Sequence, residues 1–286
     1  MDENNFNVCI VGLGLIGSSY AMALKGLSVG KVIGIDISDD TIQKALSRGI
    51  IDEGYINSTE ALKKSDIVIL AIYPHLTEKF VVDNMNHFKK GAIITDSAGI
   101  KEQIINNITP HLRDDLDFIG GHPMAGKEGS GIDNGSDKIF IGANYLITPT
   151  PRNREENIII VEELARKIGC RNIVRISPEK HDRIIAYTSH LPHILAVALI
   201  NSDLLDQDTS LFVAGSFRDA TRVADINANL WTELIMQNRD YVVEQLGVFE
   251  ENIKQIKNAI ETGNEEDVYL KLSEACVKKR GIKIHV

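Results

Sequence analysis

The sequence has little that would bind nucleic acid, form disulfides or cross a membrane. Its 286 residues carry 31 basic against 40 acidic side chains, without a basic stripe, which argues against a nucleic-acid partner. Cys9, Cys170 and Cys276 are odd in number and far apart, which predicts free thiols rather than a disulfide framework or a metal site. The longest apolar run, Ile67 to Tyr73, is far shorter than the roughly 20 residues of a membrane span, and the N-terminus lacks the basic region of a signal peptide. We therefore expect a cytoplasmic protein with no membrane, nucleic-acid or metal partner.

The first half of the chain alternates short apolar runs with amphipathic stretches, which is typical of a parallel sheet covered by helices. The predicted strands are Asn7 to Val11, Lys31 to Asp36, Ile67 to Ala71, Ala92 to Asp96, Phe118 to Gly120, Asn144 to Thr148 and Asn172 to Ile176. The predicted helices between them are Ile16 to Lys25, Thr41 to Arg48, His75 to Asn86, Lys101 to Ile108 and Arg154 to Ile168. This pattern predicts the α/β class.

A glycine-rich turn joins the first predicted strand to the first predicted helix. Gly12 permits a tight turn, Gly14 lets a pyrophosphate approach the backbone, and Gly17 lets helix and strand pack closely. Leu15 and Ile16 are cofactor-binding candidates at the start of the helix, whose free N–H groups and dipole favour an anion. The run therefore predicts a Rossmann-type dinucleotide site.

Asp36 ends the second predicted strand, about 20 residues after Gly17, where such sites carry an acid. A carboxylate accepts hydrogen bonds from free ribose hydroxyls and repels a 2′-phosphate, so NAD is favoured over NADP. The alternative is that Asp36 caps the next helix, although Ser38 and Asp39 are better placed for capping.

The second half of the chain has a helical pattern throughout. Apolar residues recur three and four apart in Ile184 to Leu205, Trp231 to Ile260 and Asp267 to Lys279. Ser177-Pro178-Glu179 has the composition of a helix start. We therefore predict two domains, an NAD-binding domain over 1–176 and an all-helical domain over 177–286 that binds substrate and forms a homodimer.

Residues directly after the strands of a parallel sheet are the first candidates for a site. One such segment runs from Ser97 to Lys101, and the other contains His122, with glycines on both sides of it, and Lys127. The glycines allow a planar ring to approach His122 closely. By itself, His122 could equally be a hydrogen-bonded histidine in a turn.

In the helical half, Pro192 removes a backbone donor and is expected to kink or break its helix. Ser189 and His193 are four residues apart and share a face beside this kink, while His190 points elsewhere. The pair could line a pocket. Alternatively, His193 could bond a backbone carbonyl that the kink exposes.

Two arginines, Arg218 and Arg222, lie four residues apart, before Trp231. The planar fork of arginine binds carboxylates with two parallel hydrogen bonds. A solvated pair bonded to Asp219 and Asp225 is the alternative, and both interpretations can hold together.

These segments resemble the prephenate and arogenate dehydrogenases over nearly the whole chain. The resemblance rests on four motifs in order: the glycine turn with Asp36, Gly-Gly-His-Pro-Met-Ala-Gly around His122, Ser-His-Leu-Pro-His around His193, and Phe-Arg-Asp-Ala-Thr-Arg ending at Arg222 with Trp231 after it. It implies oxidative decarboxylation of prephenate to 4-hydroxyphenylpyruvate, CO2 and NADH in tyrosine biosynthesis. We expect no attached chorismate mutase region or further regulatory domain.

The resemblance also implies roles for the candidate residues. His122 would accept a hydrogen bond from the ring hydroxyl as hydride leaves, which requires a neutral imidazole and predicts falling activity below pH about 6 to 7. Arg222 would bind a substrate carboxylate, with Ser189 and His193 at the side-chain end of the substrate. The further substrate-binding candidates are Ser97, Lys127 and Arg218.

One position departs from the family pattern. Relatives often carry serine where this chain has Gly99, in the loop after the strand that ends at Asp96. If that serine binds the substrate hydroxyl, Ser97, Lys127 or water must replace it here.

Three alternatives stay open. Arogenate dehydrogenase performs the same chemistry on a substrate with an ammonium group. A hydroxyacid dehydrogenase of Rossmann-plus-helical type would use a lysine where this chain has Ser189, His190 and His193. An NAD-binding redox sensor would bind the cofactor without turnover.

Overall fold

The computed structural model describes residues 6–27, 29–127, 129–202 and 209–282. The strands are β1 (Val8–Val11), β2 (Val32–Ile35), β3 (Glu53–Tyr55), β4 (Ile67–Leu70), β5 (Ile93–Asp96), β6 (Asp117–Pro123), β7 (Asn144–Thr148) and β8 (Asn172–Arg175). The helices are α1 (Leu15–Lys25), α2 (Asp39–Ser47), α3 (Ser58–Lys64), α4 (Pro74–Asp83), α5 (Glu102–Ile108), α6 (Glu155–Lys167), α7 (Pro178–Ile185), α8 (Leu191–Asn201), α9 (Gly215–Thr221), α10 (Ala228–Gln237), α11 (Arg239–Glu261) and α12 (Glu265–Gly281).

The strands form one sheet in the order β3-β2-β1-β4-β5-β6-β7-β8. Neighbouring strands are parallel except for β6 and β7, so β7 and β8 both run opposite to the other six strands. Parallel neighbours need a crossover, usually a helix, and the described part of the β6–β7 connection contains only a short 3-10 turn, Ile132–Asn134. The predicted parallel sheet is therefore found from β1 to β6 and not at the β6–β7 pair, and the predicted α/β class is confirmed.

Successive residues of β1 face opposite sides of the sheet, as strand geometry requires. Val8 and Ile10 belong to one buried cluster, which α1 and α6 cover. Cys9 and Val11 belong to a second cluster on the other face, which includes side chains of α3, α5 and α10. Apolar residues on both faces explain why the central strands consist of unbroken apolar runs.

Strand β3 and helix α3, between β2 and β4, were not predicted from the sequence. Strand β3 consists of half-buried residues at the edge of the sheet, and helix α3 follows it with Asn57 accepting a hydrogen bond from the Thr59 N–H at 3.0 Å. Neither segment has the apolar periodicity on which the predictions relied.

Helix α7 begins at Pro178 as predicted, with the Ser177 hydroxyl accepting from the Lys180 N–H at 3.3 Å. A π-helical turn, Ala186–His190, follows α7 and precedes α8, which contains Pro192. Proline lacks an N–H and crowds the carbonyl four residues earlier, and a wider turn accommodates both effects. The predicted disturbance at Pro192 is confirmed; the end of this helix as predicted, Asp203 to Leu205, lies outside the described residues.

The predicted helix from Trp231 to Ile260 is interrupted at Asn238, between α10 and α11. Asn238 is buried, and its side-chain amide donates to Nδ1 of His190 at 3.2 Å. An inward-pointing amide with a buried partner explains the break, which an apolar pattern does not reveal.

Contacts between Cα atoms divide the chain into two compact units. The sheet unit combines residues 1–185 with 225–237, and the helical unit combines 186–224 with 238–286. Within the sheet unit, Leu230, Trp231 and Leu234 of α10 pack against the second buried cluster. The boundary expected between residues 176 and 177 stays a prediction.

By length and composition alone, the helical stretch Pro178–Asn201 could cross a membrane. This is weak support for a span, because core helices of water-soluble proteins have the same composition. In its α7 part, which belongs to the sheet unit, His181 and Asp182 are almost wholly buried. The expected absence of a membrane partner stays a prediction.

Candidate active site

The glycine turn after β1 has the backbone geometry of a dinucleotide site. Gly12 adopts a φ of 86°, and a Cβ there would lie 2.6 Å from the carbonyl oxygen of Ala71. A Cβ on Gly17 would lie 1.8 Å from the carbonyl oxygen of Gly12, so only glycine lets α1 approach the turn. A Cβ on Gly14 would meet nothing within 4 Å, which leaves open space where a phosphate must approach.

Helix α1 begins directly at this open position. Gly14 is its N-cap and offers no side-chain hydrogen bond, and Leu15 and Ile16 lie in the first turn, where the helix itself provides no acceptor for backbone N–H groups. A diphosphate would satisfy those donors and the positive end of the helix dipole. The residues present therefore fit NAD.

Asp36 lies directly after β2 and contacts the glycine turn. Its carboxylate accepts from the N–H of Leu13 at 2.8 Å and of Ser38 at 2.9 Å. The cap of α2 is Ser38, whose hydroxyl accepts from the Thr41 N–H at 3.2 Å, so Asp36 is not the helix cap. Two fixed backbone donors orient the carboxylate beside the turn, where it can accept from ribose hydroxyls and repel a 2′-phosphate.

His122 lies inside β6 rather than after it, paired with Leu146 of β7. The sequence placed the end of the strand at Gly120, because glycines are rare in strands. Here Gly121 is required: a Cβ on it would lie 2.6 Å from the Tyr145 hydroxyl and 2.8 Å from the Asp96 carbonyl oxygen. This close packing holds the half-buried His122 ring at the carboxyl edge of the sheet.

His122 takes part in a chain of hydrogen bonds. Its Nδ1 lies 2.9 Å from Nε2 of His181, and Nδ1 of His181 lies 2.6 Å from Oδ1 of Asp182. The two rings are 5.2 Å apart between centroids, in an edge-on arrangement. Burial lowers the pKa of His181, although the hydrogen bond to Asp182 opposes this shift.

Near His181 lies a buried ion pair between Lys101 and Asp96, both fully inaccessible to solvent. The Lys101 ammonium also donates to the carbonyl of Ile100 at 2.7 Å. The Asp96 carboxylate accepts from the N–H of Gly121 at 3.1 Å and of Ala98 at 3.0 Å. The pair therefore links the end of β5 to the residue beside His122.

The loop after β5 brings Gly99 close to His122. A Cβ on Gly99 would lie 4.0 Å from Cε1 of His122 and 3.4 Å from Leu234. Ser97 is half-buried, with its hydroxyl 3.4 Å from the Leu70 carbonyl oxygen, and Lys127 is exposed in the loop after β6. Gly99 is therefore the position from which a short side chain would reach the imidazole.

The helical unit brings a second set of candidates together. The His193 ring donates from Nδ1 to the carbonyl oxygen of Ser189 at 2.8 Å, and Arg222 lies close enough to lower the pKa of His193. Burial is the larger cause of this lowered pKa, and the bond to Ser189 opposes it. The carbonyl bond is the alternative that the sequence left open for His193, and it fixes the ring with Nε2 as its acceptor nitrogen.

Arg222 directly follows α9 and is exposed, as is Arg218 within α9. Their exposure leaves both guanidinium groups accessible to a carboxylate ligand.

Sequence analysis missed His181 and Asp182 as functional candidates. The only local signal was a histidine next to an acid in the first turns of a helix, which is usually a solvated pair. The partner of His181 is His122, which lies 59 residues earlier in the chain. A short sequence motif does not predict a contact over that separation.

Comparison with known proteins identifies related chains. Residues 20–174 match the family described as prephenate dehydrogenase, nucleotide-binding domain, and residues 177–274 match prephenate dehydrogenase, dimerization domain. The prephenate dehydrogenase of Bacillus subtilis (strain 168) is 30% identical, over 94% of this chain and 74% of that protein. A cyclohexadienyl dehydrogenase of Zymomonas mobilis is also 30% identical, over 89% of this chain and 88% of its own length.

Solved structures of prephenate and arogenate dehydrogenases are also similar to this chain. Prephenate dehydrogenase from Aquifex aeolicus, in complex with hydroxyphenyl propionate and NAD+, is 29% identical with a TM-score of 0.89, covering 97% of this chain and 98% of that one. Arogenate dehydrogenase from Synechocystis is 27% identical with a TM-score of 0.82, covering 96% and 99%. The predicted fold class, with a Rossmann-type domain and a helical domain, and NAD as cofactor are confirmed. This chain belongs to the prephenate dehydrogenase family of NAD-dependent oxidoreductases.

Proposed function

We propose that the protein is an NAD-dependent prephenate dehydrogenase, which converts prephenate to 4-hydroxyphenylpyruvate and CO2 in tyrosine biosynthesis. The observation that carries the proposal is the position of His122 at the carboxyl edge of the sheet, the same edge that carries the glycine turn after β1 and Asp36 after β2. In an open α/β sheet the nucleotide binds at this edge, so an imidazole there can meet the reacting end of a substrate.

The reaction needs an acceptor for one proton. NAD, when bound, supplies the hydride acceptor. As the ring carbon that carries the hydroxyl loses hydride, that carbon becomes a carbonyl, and the opposite carboxylate leaves as CO2 to give an aromatic ring. His122 accepts the hydroxyl proton as hydride leaves and returns it to the phenolate oxygen after CO2 has left, so no proton is lost overall. Aromatisation favours the overall step.

The helical unit supplies the groups that bind the dianionic substrate. Arg222 binds a carboxylate through its planar fork, and Ser189 and His193 contact the side-chain end of the substrate. Arg218, Lys127 and Ser97 add further contacts. A local positive cluster is needed because the chain as a whole has a formal net charge of -9.

Arogenate is the second candidate substrate, and His193 provides a specific reason to test it. Because Nδ1 of His193 donates to Ser189, its Nε2 is an acceptor nitrogen. An ammonium group, which arogenate carries and prephenate lacks, donates to such a nitrogen. The similarity to the Synechocystis arogenate dehydrogenase is in line with this possibility.

One assay tests both substrates. Purified protein and NAD are mixed in parallel with prephenate or arogenate, and NADH absorbance is followed. We expect turnover with prephenate; faster turnover with arogenate would assign the second candidate. Cofactor binding without turnover on either substrate would instead support a redox sensor, and turnover of a hydroxyacid would support that class of dehydrogenase.

The proposal includes a homodimer in the cytoplasm. Exposed apolar side chains on α11 and α12, among them Val248 and Leu272, are in line with an interface in the part of the chain that matches the dimerization domain. Sedimentation at micromolar concentration should give twice the mass of the chain; a monomer would contradict the dimer.

A further inference from the structure

We propose that His181 and Asp182 are positioning residues that fix the tautomer of His122 and share the positive charge formed when His122 accepts the substrate proton. This inference rests on the proposed function for its chemical step, whereas its structural part concerns the histidines alone.

The first step is the orientation of Asp182. Its Oδ1 accepts from the backbone N–H of Lys101 and its Oδ2 from the N–H of Glu102, both at 2.8 Å. Asp182 is 2% exposed. Both oxygens are therefore tied to the start of α5, and the carboxylate cannot turn away from His181.

The second step is the protonation of His181. A carboxylate oxygen is an acceptor, so the 2.6 Å contact from Asp182 places the proton of the His181 ring on Nδ1. The ring is fully buried, and burial lowers its pKa. The other charged groups around it are Lys101 and Asp96, which are paired with one another. A neutral ring with Nδ1–H has Nε2 as its acceptor.

The third step carries this assignment to His122. Since Nε2 of His181 accepts, the 2.9 Å contact makes Nδ1 of His122 the donor. Nε2 of His122 is then the nitrogen that accepts the hydroxyl proton. Without His181, the neutral His122 ring could carry its proton on either nitrogen, and one of the two tautomers cannot accept at Nε2.

The positive charge formed on His122 is stabilised through the same hydrogen bonds to His181 and Asp182. When the substrate O–H bond breaks and the proton binds Nε2, the His122 ring becomes a cation that still donates from Nδ1 to His181. The two rings share this positive charge through their hydrogen bond. The negative carboxylate of Asp182, whose Oδ1 lies 2.6 Å from Nδ1 of His181, stabilises it. After CO2 leaves, His122 returns this proton from Nε2 to the phenolate oxygen, so no atom or electron beyond those of the hydride transfer and decarboxylation is needed.

The test combines spectroscopy with kinetics. In protein labelled with 15N-histidine, correlation of the ring nitrogens with the ring protons identifies the tautomer of His122 without any substrate. We expect the Nδ1-protonated form in the wild type and a mixture of tautomers in His181→Leu. A wild-type His122 protonated on Nε2 overturns the proposal, even if prephenate is turned over.

The kinetic arm compares His181→Leu with His181→Gln. Leucine removes the acceptor, and we expect kcat to fall about 100-fold while KM for prephenate and the Kd of NAD change less than about twofold. The side-chain oxygen of glutamine can accept from Nδ1 of His122, so His181→Gln should restore part of kcat and the tautomer, but not the charge sharing. His87→Leu is the matched control, because His87 is a half-buried histidine with the side-chain partners Thr59 and Asn84.

These outcomes distinguish a failure of the proposed function from a failure of the positioning role. No turnover of prephenate by the wild type, with the Nδ1-protonated tautomer present, contradicts the proposed function and leaves the positioning role standing. An unchanged tautomer and unchanged kcat in His181→Leu contradict the positioning role. If His181→Leu does not fold, the wild-type spectrum and His181→Gln decide between the same two results.

Discussion

At the scale of single residues, the His122 imidazole is the group whose loss tests the proposed chemistry most directly. In His122→Asn the side chain keeps polar atoms at β6 but cannot accept a proton at neutral pH. We expect kcat to fall about 100-fold or more, as for loss of a general base, with NAD affinity unchanged. NADH absorbance under saturating prephenate measures kcat, and undiminished turnover would contradict the assignment.

Gly99 is the position at which the family resemblance leads us to expect a serine, and the structure has room for a serine there. The nearest atom to a Cβ is Leu234 Cδ2 at 3.4 Å, which is ordinary contact, and Gly99 is not among the glycines with positive φ. We expect Gly99→Ser to fold normally and to lower KM for prephenate about twofold to tenfold, through a new hydroxyl beside His122.

Gly99→Ala is the matched control, since it adds the same Cβ without the hydroxyl. Equal KM values for the two variants would show that the serine makes no hydrogen bond to the substrate, and the thermal midpoint of each variant shows whether the added Cβ is tolerated.

Arg222 is the residue expected to bind a substrate carboxylate. Truncation to alanine removes a charge-assisted pair, so Arg222→Ala should weaken substrate binding by about 2 kcal/mol, roughly 30-fold in Kd. Calorimetry with NAD alone is the control, since NAD affinity should not change. Equal loss of both affinities would indicate general unfolding.

At the scale of elements, two glycines at the junction of β1 and α1 have different roles: Gly17 allows close packing, and Gly14 leaves room for the cofactor. A Cβ at Gly17 collides with the Gly12 carbonyl, so Gly17→Ala should lower the thermal midpoint by several degrees or prevent folding. A Cβ at Gly14 meets no protein atom, so Gly14→Ala should keep the midpoint and weaken NAD binding instead. Thermal unfolding and NAD titration of both variants check this, and two identical phenotypes would contradict it.

The sequence predicted elements wherever local composition determines them. The central strands were found because both their faces are buried, and the start of α7 because serine and proline mark it. Strand β3 was missed because Glu53–Tyr55 lies at the sheet edge and is polar. The break at Asn238 and the contacts of His181 depend on residues far away in the chain. The reversal of β7 depends on the β6–β7 connection, whose described part has no crossover helix.

At the scale of the whole molecule, two histidines connect stability to pH. Burial lowers the pKa of both His181 and His193 in the folded protein. A base with a lowered folded pKa binds protons more readily when unfolded, so its contribution to stability is present above the unfolded pKa of about 6.5 and is lost as pH falls below it. Glu53 and Asp115, with pKa values of about 2, stay ionised in the folded protein down to far lower pH.

The thermal midpoint should therefore decline between about pH 7 and pH 5, before the carboxylates titrate. Scanning calorimetry across this range measures the decline, and His181→Gln should reduce its slope. A midpoint that stays constant or rises toward pH 5 would contradict this expectation.

The short helix α7 has a consequence for how the family can vary in length. Its start is fixed by Ser177 and Pro178, and His181 follows within the first turn. Because each helical residue turns by about 100°, one residue inserted between Pro178 and His181 would swing the imidazole away from β6 and the carboxylate away from α5. We therefore expect related enzymes to differ in length in their loops and to keep the spacing between Pro178 and His181 constant.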